Sequence, residues 1–187
     1  MRPATPHLRA PGLRGINAMA SFEHLKALVV DDNAHMRILL RSLLQALGLQ
    51  QIYEATDGAT GFVELRERHP DFVLTDLSMT PVDGIEFTRR VRQGQDSPNP
   101  YIPIVMVTGH TERQRVEAAR DAGVTEFLAK PITSQNILLR IAEIVDRPRP
   151  FVRCEGYFGP DRRRRRDDSY TGPWRRSDDQ ADSIALI

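Results

Sequence analysis

Short apolar runs alternate with amphipathic segments from residue 26 to residue 146. The first run, KALVV, is followed by AHMRILLRSLLQALG, in which leucines recur at the spacing of one helical face up to Gly48. Four similar pairs follow along the chain: QIYEA with GATGFVELRERH, DFVLT with GIEFTRRVRQ, IPIVMVT with ERQRVEAARDAG, and EFLA with SQNILLRIAEIVD. The pattern predicts five strands, each followed by a helix.

The predicted strands are continuously apolar and do not alternate with polar residues. Such runs are typical of a parallel sheet that is covered by helices on both faces. The sequence therefore predicts an α/β fold, a three-layer doubly wound domain with a five-stranded parallel sheet. In such sheets ligands bind beyond the carboxyl ends of the strands, so the residues that follow each strand are candidates for chemistry.

Polar residues stand at the ends of four predicted strands. Asp31 and Asp32 follow the first strand, Asp76 follows the third, Thr108 ends the fourth and Lys130 follows the fifth. Three nearby carboxylates repel one another unless a cation neutralises them, and oxygen ligands of this kind suit Mg²⁺. Lys130 is one of two lysines among 26 basic residues, and its ammonium can act as a point charge toward carboxylate or phosphate. A purely structural salt bridge is the alternative interpretation.

Four stretches at these strand ends carry a resemblance to a known family. LVVDDNAHMR, DFVLTDLSMTPVDG, IVMVTG and FLAKPI resemble motifs of the receiver domain of bacterial two-component response regulators, in order and at the family spacing. The resemblance covers about residues 26–146 and implies the flavodoxin-like fold of CheY-like receivers. It also implies that the protein is a signalling switch and not an enzyme. The only chemistry of such a switch is its own aspartyl phosphorylation and dephosphorylation.

The resemblance assigns a role to each strand-end residue. Asp76 would be the phosphoacceptor, which takes a phosphoryl group from a histidine kinase or a phosphotransfer protein. Thr108 would hydrogen-bond a phosphoryl oxygen and take part in the switch, and Lys130 would neutralise the phosphoryl charge. The Mg²⁺ ligands that the family implies are Asp31, Asp32, Asp76 and the backbone carbonyl of Ser78.

Three features near the site qualify this assignment. Phe127 matches an aromatic switch residue of the family, but a half-buried packing role is an equally good interpretation. The family also implies a cis peptide bond at Lys130–Pro131. The pair Thr80–Pro81 departs from the commonest family pattern, in which proline comes first and a small residue follows, so the loop after Asp76 is expected to differ.

Composition places limits on domain number and compartment. A chain of 187 residues with 40% hydrophobic content can bury one ordinary core but leaves little room for a second. The single cysteine, Cys154, excludes an internal disulfide framework, and no apolar run approaches the roughly 18 residues needed to span a membrane. We therefore expect a cytoplasmic protein without membrane insertion.

Charge divides the chain into three parts. Residues 20–146 hold 13 basic and 18 acidic residues, a net charge of −5, whereas residues 147–187 hold ten Arg and seven acids, a net charge of +3. We expect a disordered N-terminal extension over 1–22, a receiver domain over 23–147 and an Arg-rich, disordered tail over 148–187. The sequence leaves open whether translation starts at Met1 or at Met19.

Two classes of function fit these observations. The first is a stand-alone response regulator or phosphorelay carrier, whose affinity for an unknown downstream protein changes on phosphorylation. The second is a nucleic-acid-binding regulator, in which DRRRRRDD and PWRRSDD contact phosphates. Neighbouring aspartates cancel much of that charge, so nucleic acid is not the expected partner. The aromatic and Arg-rich tail is also suited to docking on an acidic surface, including the receiver's own.

Overall fold

The alternation of strands and helices predicted from the sequence is present in the computed structural model, which describes residues 22–109, 113–154, 156–162 and 182–184. The strands of the main sheet are β1 (Lys26–Val30), β2 (Gln51–Ala55), β3 (Phe72–Asp76), β4 (Ile104–Thr108) and β5 (Glu126–Ala129). The helices are α1 (Ala34–Ala46), α2 (Gly58–Arg68), α3 (Gly84–Gln93), α4 (Arg113–Ala122) and α5 (Ser134–Asp146).

The five strands form a parallel sheet in the order β2-β1-β3-β4-β5. This order is one of the two common doubly wound arrangements, and its switch point lies between β1 and β3. The predicted α/β fold class is therefore confirmed. Because all strands run in the same direction, the residues that follow β1, β3, β4 and β5 meet at one edge of the sheet.

Helices cover both faces of the sheet, as the apolar strands require. On one face α1 and α5 pack on the strands through the buried residues Leu40, Leu44, Ile137, Ile141 and Ile144. On the other face α2 and α3 contribute Phe62, Leu65, Phe87 and Val91, and α4 contributes Ala119 and Ala122. The sheet is buried between these layers, which holds the strand ends in fixed positions.

Short polar residues begin the helices that follow the strand ends. The side chain of Asn33 accepts hydrogen bonds from the backbone of His35 and Met36 at the start of α1, and Asp83 accepts one from the Glu86 amide at the start of α3. These caps satisfy amide groups that a helix leaves unpaired at its first turn. They therefore fix the two loops that lie beside Asp31 and Asp76.

Two proline peptide bonds near the same edge are cis. The Lys130–Pro131 bond is cis, which confirms the expectation from the family resemblance. The Thr80–Pro81 bond is also cis, so the departure from the family pattern in this loop coincides with an unusual backbone conformation.

The N-terminal boundary differs by one residue from the expectation. Residues 1–21 of the extension lie outside the described part of the chain, but Phe22 is 2% exposed and packs in the α1 and α5 core. Phe22 is therefore an ordered residue of the receiver core and not part of a disordered extension.

The beginning of the C-terminal tail is ordered, contrary to the expectation of disorder from residue 148. β6 (Phe151–Cys154) and β7 (Tyr157–Pro160) form an antiparallel hairpin, and the backbone of β8 (Asp182–Ile184) pairs with the other edge of β6. A two-residue connection joins β6 to β7, with Gly156 at a φ of 78°, which glycine adopts without strain. The rest of the tail lies outside the described residues.

The hairpin is ordered because its apolar side chains are buried against the receiver and need not form a core alone. Phe151 and Phe158 pack with Tyr101, each at a ring-centroid distance of 5.2 Å from it. Arg149 donates to Glu126 at the start of β5 over 2.6 Å. This contact surface lies at the amino ends of β4 and β5, opposite the edge that carries the strand-end residues.

A buried arginine connects the hairpin to the receiver. Arg92, near the end of α3, donates to the carbonyls of Pro100 and Gly123 over 2.8 and 2.9 Å, and its guanidinium lies 5.1 Å from the centroid of the Phe151 ring. Burial lowers the pKa of Arg92 to about 9, so the guanidinium still carries its charge at neutral pH.

No helix in the described parts of the chain is long and apolar enough to cross a membrane.

Candidate functional site

Asp76 is the last residue of β3, and its carboxylate is held by two donors at the carboxyl edge of the sheet. The Lys130 ammonium donates to Oδ1 over 2.7 Å, and the backbone amide of Ser78 donates to Oδ2 over 2.8 Å. The residue is only 8% exposed, yet it lines an open cleft. The carboxylate of Asp76 is thus oriented by its two donors and reachable from the side of the cleft.

The cleft in front of Asp76 is built from the ends of β3, β4 and β5. It is lined by Asp76, Leu77, Ser78, Thr108, Gly109, Arg115 and Lys130. The backbone amide of Lys130 donates to the carbonyl of Thr108 over 2.8 Å, which fixes the relative positions of these two residues. The structure therefore brings together three of the residues that the sequence analysis placed at strand ends, namely Asp76, Thr108 and Lys130.

Asp31 is the most buried carboxylate at this edge, at 1% exposure. Its Oδ1 atom accepts from the Asn33 amide over 2.8 Å, but no partner among the described residues reaches Oδ2. Burial raises the pKa of Asp31, and the negative charges of Asp76 and Asp32 raise it further. A buried acceptor atom without a partner, with two further carboxylates near it, is a position at which a cation would be stabilised.

Asp32 differs from Asp31, because its side chain is exposed beside the edge of the sheet. No group of three or more His, Cys, Asp or Glu side chains in the described part of the chain is arranged to hold a metal as it stands. Mg²⁺ commonly keeps several waters and binds through one or two carboxylates and a phosphate oxygen, so a closed cage of side chains is not required. The unpartnered Oδ2 of Asp31 and the excess of acid beside it fit such an ion.

Phe127 lies on β5 and is half-buried. It packs against the cluster beneath α4 that contains Met106, Ala119 and Ala122. A packing role and a switching role each require this contact with residues of α4.

Three residues that shape the site were not identified from the sequence. Arg37 of α1 donates to the carbonyl of Asp31 over 2.8 Å and so holds the backbone after β1. Arg115 of α4 donates to the Ser78 hydroxyl over 2.8 Å at the mouth of the cleft. A Cβ atom added at Gly84 would lie 2.1 Å from the carbonyl oxygen of Asp76, so only glycine fits there.

Of these three residues, Gly84 is the one that the sequence could have indicated, because it is the last residue of the motif DFVLTDLSMTPVDG. The roles of the two arginines depend on contacts between distant parts of the chain. The sequence contains 24 arginines in addition to its two lysines, so nothing local distinguishes Arg37 or Arg115 from the others.

Comparison with known proteins agrees with this geometry. The family model for the response regulator receiver domain matches residues 27–142. Chemotaxis protein CheY-3 of Vibrio cholerae is 32% identical over 125 residues, which cover 67% of this chain and 95% of that protein. Chemotaxis protein CheY of Pseudomonas aeruginosa is 36% identical over 123 residues, which cover 66% of this chain and 98% of that protein.

Solved structures show the same likeness. The chemotaxis protein CheY4 of Vibrio cholerae superposes with a TM-score of 0.60 at 26% identity, over 65% of this chain and 98% of that one. A putative response regulator from Chloroflexus aurantiacus gives a TM-score of 0.60 at 27% identity, over 66% of this chain and 98% of that one. The chain belongs to the family of response regulator receiver domains, the phosphoacceptor proteins of two-component signal transduction.

Proposed function

We propose that this chain is a phosphorylation switch in which Asp76 is the phosphoacceptor. The observation that carries the proposal is the position of Asp76: a buried strand-end carboxylate, oriented by Lys130 and by the Ser78 amide, that faces an open cleft. Its two donors leave the carboxylate accessible to an incoming group from the cleft.

The reaction is a transfer of a phosphoryl group to a carboxylate. One oxygen of Asp76 attacks phosphorus, a new P–O bond forms, and the bond between phosphorus and the donor breaks, with its electron pair leaving on the donor. Lys130 would neutralise charge on the transferring group, and the Thr108 hydroxyl would donate to one of its oxygens. The donor would be a histidine kinase or a phosphotransfer protein, as expected for the family.

Mg²⁺ would be held by Asp31, Asp32, Asp76 and the carbonyl oxygen of Ser78. When bound, it supplies positive charge to the phosphoryl oxygens and offsets the repulsion among the carboxylates. In its absence, the acid-rich edge repels an incoming anion, and burial of Asp31 makes that charge costly.

The output of the switch is a change in affinity for a downstream protein that the chain does not identify. Phe127, which contacts the cluster beneath α4, is a candidate to take part in that change together with Thr108. The alternative, a nucleic-acid-binding output, depends mainly on the arginines at 163–166 and 175–176, which lie outside the described residues. Arg162, the first arginine of the longer run, is instead engaged with Asp121 and with the Tyr157 ring.

Labelling by a small phosphodonor such as acetyl phosphate tests the metal-dependent part of this proposal. We expect labelling with Mg²⁺ and its loss in excess chelator, and we expect Asp32→Asn to require far more Mg²⁺ for the same labelling. The matched control is Asp71→Asn, since Asp71 is an exposed acid at the opposite end of β3. Undiminished labelling in chelator would contradict the metal site.

A further inference from the structure

Arg115 places a second cation at the cleft that Asp76 faces. Its Nη1 atom donates to the Ser78 hydroxyl over 2.8 Å, and its Nη2 atom lies 3.4 Å from the Asp83 carboxylate. The side chain lines the same cleft as Asp76 and Lys130. Arg115 belongs to α4, so it joins that helix to the loop that follows β3.

Both present contacts of Arg115 are weak. Ser78 offers a neutral hydroxyl on an exposed residue, and the side chains of Arg115 and Asp83 are 39% and 35% exposed. Exposed ion pairs of this kind contribute little to stability. Asp83 also has another role, because it caps α3 by accepting from the Glu86 amide over 2.8 Å. The guanidinium can therefore exchange its partners at small cost.

A phosphoryl group on Asp76 would be a stronger acceptor in the same cleft. Such a group carries a charge of about −1.5 to −2 and presents three acceptor oxygens. Lys130 supplies one positive charge to this space, while Asp31 lies close enough to oppose an added anion. Hydrogen bonds from a guanidinium to phosphate oxygens are about twice as strong as those to neutral acceptors, and the planar fork can make two at once.

We propose that Arg115 is a ligand of the phosphoryl group on Asp76, and that its guanidinium exchanges the Ser78 hydroxyl for phosphoryl oxygens when the group is present. The proposal rests on the proposed function of Asp76. Two consequences follow. The start of α4 is drawn toward the modified site, and the guanidinium occupies space from which water would attack phosphorus to release inorganic phosphate and regenerate the carboxylate.

The binding of beryllofluoride in the presence of Mg²⁺ tests this ligand role without requiring phosphoryl transfer. We expect Arg115→Gln to weaken beryllofluoride binding about tenfold, the loss of one charge-assisted hydrogen bond. Arg115→Lys should restore part of the affinity, because it keeps the charge but loses the fork. Arg120→Gln is the matched control on the same helix, with a side-chain exposure of 40%, and should bind as the unaltered protein does.

Ser78→Ala should not weaken beryllofluoride binding as Arg115→Gln does. It removes the competing acceptor but keeps the backbone amide and carbonyl of the residue, so we expect beryllofluoride to bind at least as tightly, and phospho-Asp76 to last at least as long, as in the unaltered protein. The phosphorylated state of Arg115→Gln should be shorter-lived.

A purely structural tether between α4 and the loop would give a different result. Arg115→Gln would then lower the melting temperature while leaving beryllofluoride affinity and phosphate lifetime unchanged, and this outcome would overturn the proposal. Failure of the underlying function is distinguishable, because the unaltered protein would then bind no beryllofluoride and accept no phosphate at Asp76.

Discussion

Replacement of Gly84 by alanine tests how closely the start of α3 is fitted to Asp76, the proposed phosphoacceptor. A Cβ atom at this position would lie 2.1 Å from the Asp76 carbonyl oxygen and 3.1 Å from the Met106 side chain, whereas ordinary contacts begin at 3.4 Å. The clash is with backbone, so either Asp76 or the first turn of α3 must move by more than about 1 Å. The affected residue, Asp76, is the proposed nucleophile itself.

Two opposing effects determine the sign of the stability change. Helix propensity alone would stabilise an alanine relative to glycine by up to about 1 kcal/mol. Overpacking of a close contact costs about 1–3 kcal/mol and sometimes more. We therefore expect Gly84→Ala to lower the free energy of unfolding by about 1–3 kcal/mol. Because a displacement of reacting atoms near 1 Å can slow a reaction about 100-fold, we also expect phosphorylation to be slower by one to two orders of magnitude.

The assay pairs denaturant unfolding with the rate of labelling by acetyl phosphate. The control is Gly109→Ala, the same substitution at a glycine of the same cleft, where an added Cβ would meet nothing within 4 Å. Gly109→Ala should retain both stability and labelling rate. If Gly84→Ala were as stable and as reactive as Gly109→Ala, the reasoning from close approach would be refuted.

Three further predictions concern charge and the tail. The pKa of Asp31 is raised in the folded protein, so its protonated form favours folding. Without Mg²⁺, the unaltered protein should therefore lose stability as the pH rises from about 4 through the raised pKa, and Asp31→Asn should lose less when unfolding is followed against pH. Phe151→Ala should lower the free energy of unfolding by about 3–4 kcal/mol if the hairpin unfolds together with the receiver. A small decrease in the free energy of unfolding, with protease cleavage confined to the tail, would show that the hairpin opens alone. Lys130→Arg should still be labelled by acetyl phosphate but should change its partner binding less on labelling, and normal binding would refute the point-charge argument.

The fold and the core of the site could be predicted because both depend on local signals. Continuous apolar runs indicate buried parallel strands, and parallel strands necessarily place their following residues at one edge. The proximity of Asp76, Thr108 and Lys130 follows from that rule and the strand order. The assignment of roles came from the family resemblance, since the same three residues would also fit a structural ion pair.

The contribution of Arg115 could not be predicted, because it depends on three-dimensional approach and not on pattern. Gly84 ends a motif that the sequence shows, but its close approach to the Asp76 carbonyl is visible only in the structure. Arg115 meets Ser78 across 37 positions of sequence. Docking of the tail on the receiver was one interpretation of its composition, but the hairpin itself was not predicted. Its segment is too poor in aliphatic residues to fold alone, and it packs on Tyr101 and Arg92 of the receiver. Composition describes a segment in isolation and does not include the surface on which it packs.

The identity of the modified residue is the central claim, and mapping the phosphate after labelling tests it most directly. The unaltered protein, Asp76→Asn and Asp71→Asn would be treated with acetyl phosphate and Mg²⁺, and the label located by peptide mass spectrometry, with folding checked by circular dichroism. We expect label on the peptide that contains Asp76 in the unaltered protein and in Asp71→Asn, and none in a folded Asp76→Asn. Equal labelling of Asp76→Asn, or a label mapped to another residue in the unaltered protein, would contradict the account.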